Sequence, residues 1–281
     1  MRDLVRTSAL VIFLTGAVAV PFCVAAPQPL WELGVGAGGM SLPDYRGSDE
    51  RQNRAFPIPY FVYRGKFLKA DRDGLRTDLY SSDNVVVNVS VNGTLPVNSR
   101  TNTARRGMLS LKPTLELGPT ASVKLWQSAD AQMKLDFRLP LRMSIAIQSH
   151  PEQVGWLASP SLNVDVLNPD GAAGWKLGIL AGPIFSTRKY NSYFYSVGAA
   201  DATATRPAYA AHGGYAGSQV TLAMSKRYPR YWVGGFLRYD TVAGAAFEDS
   251  PLVKKRNGVS GGIAVSWVIT ESSMMVSRRD D

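Results

Sequence analysis

Two histidines, one serine and one glycine cluster are the residues whose types suggest chemistry. His150 stands between Ser149 and Pro151-Glu152, and His212 precedes Gly213-Gly214. A metal site asks for several imidazoles, thiolates or carboxylates at short regular spacing, such as H-x-x-x-H, whereas these two imidazoles lie 62 positions apart. Either could serve as the base of a Ser-His pair in a lipid hydrolase. Ser149 and His150 are adjacent, however, and adjacent residues on an extended segment point to opposite sides, so they do not read as a dyad. Gly34-Val35-Gly36-Ala37-Gly38-Gly39 matches the dinucleotide pattern G-x-G-x-x-G. That pattern needs a helix after the glycines to hold pyrophosphate, and Pro43 and Gly47 forbid one, so the glycines read as small inward-facing or bulge positions of a strand. These patterns nominate no catalytic residue, no cofactor and no metal ligand.

Charged residues are the remaining candidates. Lys134, Asp136, Arg138, Arg142, Glu116, Lys112, Asp165, Lys176, Arg238 and Asp240 recur at alternate positions. They would either line a channel or cross-link a filled interior as ion pairs, and for a barrel of about twelve strands the filled interior is expected.

The elements that position these charges declare themselves by period two. Met133, Leu135, Phe137, Leu139, Leu141, Met143, Ile145 and Ile147 alternate with Lys134, Asp136, Arg138, Pro140, Arg142 and Ser144. Soluble strands average about five or six residues, so a run of about fifteen favours a strand tilted across an outer membrane, apolar side on lipid and charged side in the lumen. The register returns at Val259, Gly261, Ile263, Val265, Trp267 and Ile269, and in weaker form at 109–117 and 154–166. Helical spacing appears nowhere beyond the N-terminus. Punctuation by Gly, Pro, Asn and Asp gives strands at 31–40, 54–64, 66–80, 84–92, 108–118, 121–128, 131–147, 154–167, 173–186, 219–228, 231–241 and 258–269. With both ends in the periplasm, the outer gaps are 41–53, 81–83, 119–120, 187–218 and 242–257 among others. The inner gaps are Gly65, 93–107, Ala129-Asp130, Asn168 to Ala172 and Pro229-Arg230. Asp71-Arg72-Asp73-Gly74 is an alternative turn inside 66–80. Trp31, Tyr60, Tyr63, Tyr80, Trp156, Trp175, Tyr228, Tyr231 and Tyr239, near strand ends, are candidates for headgroup-level girdles.

Mean hydropathy of −0.08 excludes a bundle of membrane-spanning helices and leaves a membrane barrel open. Residues 1–25 read as a cleaved secretory signal: Arg2 and Arg6, the apolar run Ala9 to Leu14, then Cys23-Val24-Ala25. The barrel is expected over 26–269, with a polar tail over 270–281. Val20-Pro21-Phe22 argues against lipidation of Cys23, the one cysteine, so the mature chain has neither disulfides nor a thiolate site. Removing Arg2, Arg6 and Asp3 leaves 29 basic and 21 acidic residues, a charge of +8. The basic residues are scattered apart from Arg105-Arg106, Lys254-Lys255-Arg256 and Arg278-Arg279, and an exported chain meets no chromosomal DNA, so no nucleic acid is expected. Basic loops would instead meet the phosphates of outer-membrane lipid and lipopolysaccharide.

Pro43-Asp44-Tyr45-Arg46-Gly47-Ser48-Asp49, Pro57-Ile58-Pro59-Tyr60-Phe61-Val62-Tyr63-Arg64-Gly65 and Gly74-Leu75 resemble the N-terminal signature of the MltA-interacting protein (MipA/OmpV) family. Pro207-Ala208-Tyr209, Tyr231 to Tyr239 and Asp249-Ser250-Pro251-Leu252-Val253 resemble its C-terminal part. Arg46 stands where the family often has an acidic residue, and Thr270 to Asp281 continue past the last strand, leaving Trp267 as the nearest terminal aromatic. The resemblance implies an all-β, antiparallel outer-membrane β-barrel of a Gram-negative cell, without catalytic residues. It further implies a scaffold that joins a murein-degrading lytic transglycosylase to a peptidoglycan synthase, with a porin-like channel for small solutes as the alternative. A periplasmic partner would then meet 93–107, with Arg100, Arg105 and Arg106, and the tail, with Arg278 and Arg279, because arginines pair well with carboxylates.

Overall fold

A computed structural model describes residues 28–64, 68–71, 74–82, 84–130, 132–167 and 174–276. The signal segment 1–25, the turn residues Gly65 and Asn168 to Ala172, and Arg278 and Arg279 fall outside them.

The strands are β1 (Gln28–Pro29), β2 (Trp31–Pro43), β3 (Arg51–Arg64), β4 (Leu68–Asp71), β5 (Gly74–Ser81), β6 (Val85–Thr94), β7 (Thr114–Gln127), β8 (Met133–Ala146), β9 (Glu152–Ala158), β10 (Ser161–Leu167), β11 (Trp175–Ser186), β12 (Gly214–Arg227), β13 (Tyr231–Thr241), β14 (Asn257–Glu271) and β15 (Met275–Val276). From β2 to β14 each strand bonds antiparallel to its neighbour in sequence, apart from β9 and β10, which do not pair with each other, and β14 returns to β2 from Gly261↔Ser41 to Glu271↔Glu32, which closes the ring. Both β9 and β10 pair with β8 on one side and β11 on the other. They form one stave interrupted at Ser159-Pro160, where proline has no N–H to give. Twelve staves result. Gln28 and Pro29 pair with Val276 and Met275, so the two ends of the described chain meet at one end of the barrel.

The faces are inverted relative to a soluble protein. Val35, Leu139, Leu141, Leu237 and Ile263 are exposed on the outside, whereas Asp136, Ser144 and Ser266 point inward and are no more than 1% exposed. An apolar outer belt around a polar interior, with every stave bonded into a closed ring, is the arrangement that satisfies backbone polar groups in hydrocarbon. No helix among the described residues is long and apolar enough to cross a membrane.

Two strand expectations are corrected. Residues 108–118 and 121–128 are not two strands: β7 runs unbroken through Gly118-Pro119, because Gly118 pairs with Ser90 and Pro119 with Val89. A glycine-proline turn signal loses when both residues have a partner strand beside them. Conversely, 66–80 is two strands, β4 and β5, hinged where Asp71 pairs with Gly74. The two errors cancel in the count of twelve but not in orientation. The segment 95–113 lies at the same end as 44–50, 187–213 and 242–256, not at the end of the chain termini. With the termini periplasmic, every periplasmic turn is short and 93–107 is an outer loop.

Candidate functional site

The interior is built upward from the periplasmic end. Glu32 on β2 accepts from Arg227 at 2.9 Å and from the hydroxyl of Tyr60 at 3.1 Å. Tyr60 therefore faces the lumen, not a headgroup girdle. On the inner face of β8, Lys134 pairs with Asp136, and Arg138 lies 3.7 Å from Asp136 and 3.4 Å from Asp165. Arg142 donates to Ser90 at 2.9 Å, and Thr120 donates to the same hydroxyl at 2.7 Å. Higher still, Asp240 holds Arg238 at 2.6 Å and Arg46 at 3.0 Å. The row of charges thus forms cross-linked pairs, the arrangement that low dielectric favours over lone charges. Lys112 is the exception among the predicted inward residues, since it sits in the loop before β7, and its backbone N–H bonds the Tyr193 hydroxyl.

Glycines make close approach possible at two points. A Cβ on Gly36 would come 2.3 Å from Ser266 Oγ, so the inner face of β2 and β14 tolerates no side chain there. Gly217 holds φ +98° and would push a Cβ to 2.1 Å from the Thr241 carbonyl and 2.7 Å from Arg46 Nη2. Arg46 uses that space to donate to the carbonyl of Ala216 at 2.7 Å, pinning the first outer loop to the wall.

The long outer loops meet over the mouth around a dry core of Tyr45, Val97, Phe194, Val197, Phe247 and Leu252. Helix α1 (Arg188–Tyr195) carries Tyr195, stacked on Phe247 at 3.7 Å, and Tyr190, whose hydroxyl donates to Glu116 at 3.0 Å. Asn102 donates to Asp44 at 2.7 Å, Tyr45 to the Leu252 carbonyl at 2.8 Å, and Ser250 to the Tyr195 carbonyl at 2.7 Å. Arg105, 3% exposed, donates to the Phe194 carbonyl at 2.8 Å. Arg206 donates to the carbonyls of Ala104 at 3.0 Å and Arg106 at 2.9 Å. Burial raises the Tyr45, Tyr190 and Tyr195 phenols well above their ordinary range and lowers the Arg105 guanidinium. The pair Arg105-Arg106, expected as a periplasmic surface, is instead a staple of this outer cap. Sequence reasoning missed the cap because its core residues follow no period.

His150 and His212 both lie in outer loops and are exposed. Ser149 Oγ stands 3.5 Å from His150 Nδ1, longer than an O–H hydrogen bond. Among the described residues, no group of three or more His, Cys, Asp or Glu could hold a metal ion. At the periplasmic end Tyr228 and Tyr231 stack at 4.3 Å and Lys226 lies 5.8 Å from the Trp175 ring.

The family model described as MltA-interacting protein MipA matches residues 35–269. No curated protein matches the chain. The solved structures that resemble it include two outer-membrane proteins. A bacterial polysaccharide outer membrane secretin is 9% identical at a TM-score of 0.42, over 85% of this chain and 99% of that one. A high-pH structure of Pseudomonas putida OprB is 8% identical at a TM-score of 0.29, over 84% of this chain and 94% of that one.

Proposed function

The chain belongs to the MltA-interacting protein MipA family, and from that membership we propose a non-enzymatic outer-membrane barrel that holds a lytic transglycosylase, and a peptidoglycan synthase with it, at its periplasmic rim. The observation that carries this reading is the folded cap: the outer mouth is closed by loops bonded to one another, and paired charges cross the lumen behind it. A barrel stoppered in this way serves better as an anchor than as a pore. The periplasmic rim offers a bonded platform, where Leu30 donates to the Met274 carbonyl and Ser272 to the Trp31 carbonyl. Met274 and Met275 stand exposed on it, and methionine suits adaptable apolar contact.

The test is co-purification from solubilised outer membranes. Met274→Asp with Met275→Asp should leave the barrel heat-modifiable on gels and remove the transglycosylase from the eluate. Retention of the enzyme by a correctly assembled double variant would overturn the assignment of this rim.

A further inference from the structure

At the outer end of the wall, β3 begins at Arg51, whose partner on β2 is Pro43. Gly261 pairs with Ser41, so Val259 stands level with Pro43, and Tyr239 pairs with Val259. Arg51, Pro43, Val259 and Tyr239 therefore form one rung across β3, β2, β14 and β13. The rung faces outward, since Val259 and Tyr239 are each 45% exposed and Pro43 shares its side of β2 with the exposed Leu33 and Val35. Below it the same faces are apolar, with Leu237 exposed and Ile263 76% exposed. The rung marks the depth where hydrocarbon gives way to headgroups, and Tyr239 is its girdle aromatic.

Arg51 reaches along this rung over the outside of β2. It donates to the Val259 carbonyl at 2.7 Å and to Ser41, at 3.0 Å to the hydroxyl and at 3.2 Å to the carbonyl. These acceptors are neutral, so the guanidinium is held in place while its charge stays uncompensated. Above it, the Gly47 carbonyl accepts the backbone N–H groups of Lys254 at 2.7 Å and Lys255 at 3.0 Å, which ties the segment before β14 to the loop after β2. Both lysines are exposed. Lys255 is four residues from Val259, so no more than about 13 Å of extended chain separates it from the rung.

The carboxylates of the two loops are engaged elsewhere. Glu248 holds Arg256 at 2.5 Å, Glu50 accepts the Thr103 N–H at 2.8 Å, and Asp44 accepts from Asn102 at 2.7 Å. Asp249 stands near Tyr209, whose phenol burial and that charge raise. Asp49 is left beside three cations, and among the described residues none of the three forms an ion pair with a carboxylate. The rim sector above β14, β2 and β3 is thus cationic at headgroup depth.

We propose that this sector binds the phosphorylated sugar head of lipopolysaccharide in the outer leaflet, its phosphate held by Arg51, Lys254 and Lys255 and its acyl chains lying on the wall below. Charge and depth both match such a lipid. The planar guanidinium fork suits phosphate oxygens, and the flexible ammonium groups add point charges beside it. Four strands at about 4.8 Å spacing make the rung about 14 Å wide, which suits a sugar head better than the single phosphate of a phospholipid. The site lies at the opposite end from the periplasmic rim, so its failure and that of partner docking are separable.

The test is titration of the detergent-purified barrel with fluorescently labelled lipopolysaccharide. Saturable binding is expected. Arg51→Ser with Lys254→Ser and Lys255→Ser should weaken it roughly tenfold or more, since each cation near an anionic lipid surface contributes to the attraction. Arg106→Ser with Arg188→Ser and Lys189→Ser removes as many exposed charges from elsewhere on the cap and should leave binding nearly unchanged. Lipopolysaccharide stripped of its phosphates should bind wild type as weakly as the rim variant binds the intact lipid, and phosphatidylglycerol should not compete. Absence of binding, equal weakening by the two triple variants, or full competition by phosphatidylglycerol would overturn the proposal. Should loss of Arg51 prevent assembly, Lys254→Glu with Lys255→Glu decides, because only backbone groups of these two lysines are bonded and the wall keeps every contact. Weakened binding by that heat-modifiable variant supports the site, and wild-type affinity removes it.

Discussion

Arg105 donates through Nη1 to the carbonyl of Phe194, 2.8 Å away in space and 89 positions away in the chain. A bond from a buried cation to a loop carbonyl ties the β6–β7 loop to helix α1, and with Arg206 on the carbonyls of Ala104 and Arg106 it closes the outer mouth. Arg105→Ala would strip that carbonyl of its donor inside a dry core. Loss of such a partner typically costs about 1–3 kcal/mol. The expected outcome is a barrel that still shifts on gels with heating, but whose 95–113 loop is cleaved faster by protease. Unchanged cleavage would show that the cap does not depend on the staple.

The same core should be sensitive to alkali. Burial, outweighing the nearby arginine cations, holds the Tyr45, Tyr195 and Tyr190 phenols above the ordinary value of 10.0. Between the unfolded and the folded value the folded cap binds more protons than the open one, so stability falls as pH rises past about 10. Below that pH the contribution is complete. Near-UV circular dichroism of the cap aromatics should therefore decay above about pH 10, together with a late rise in tyrosinate absorbance, while the far-UV strand signal persists. Early, independent titration of every tyrosine would mean that the cap is open at neutral pH.

Much of the barrel was legible because lipid imposes period two on its staves. The run from Met133 to Ile147 predicts the faces of β8 correctly: Leu139 and Leu141 are exposed, and Asp136 and Ser144 are buried. Turn signals were less faithful. Gly118-Pro119 reads as a turn and is strand, since two neighbours bond it, whereas Asp71 to Gly74 is the hinge that the pattern left as an alternative. The placement of Arg105 failed through this one shift of topology, not through its own chemistry.

The two faces can be separated with a single kind of substitution. Leu139 faces lipid on β8, whereas Leu180 faces the lumen on β11, between Asn163 and Thr221. Arginine at a lipid-facing midplane position costs about 2–4 kcal/mol, because the charge has no water to turn to. Leu139→Arg should show that loss in reversible denaturant unfolding from lipid vesicles, and Leu180→Arg should show less. Equal losses would sink the register of both strands.

Conductance in planar bilayers discriminates the anchor from the channel. In the wild-type protein an ion crossing the barrel meets the Lys134–Asp136–Arg138–Asp165 chain of pairs and then the cap above it. Both obstacles stand in series, so removal of either alone should leave little steady current. Deleting 98–110 should remove the cap's wedge without touching a stave, and joining that deletion to Arg138→Ala should open a measurable pore. Two carboxylates, Asp136 and Asp165, would then have lost a shared partner, which should turn the pore toward cations. Stable single-channel steps from the wild-type barrel, shifted in ion selectivity by Arg138→Ala alone, would replace the anchor reading with a channel.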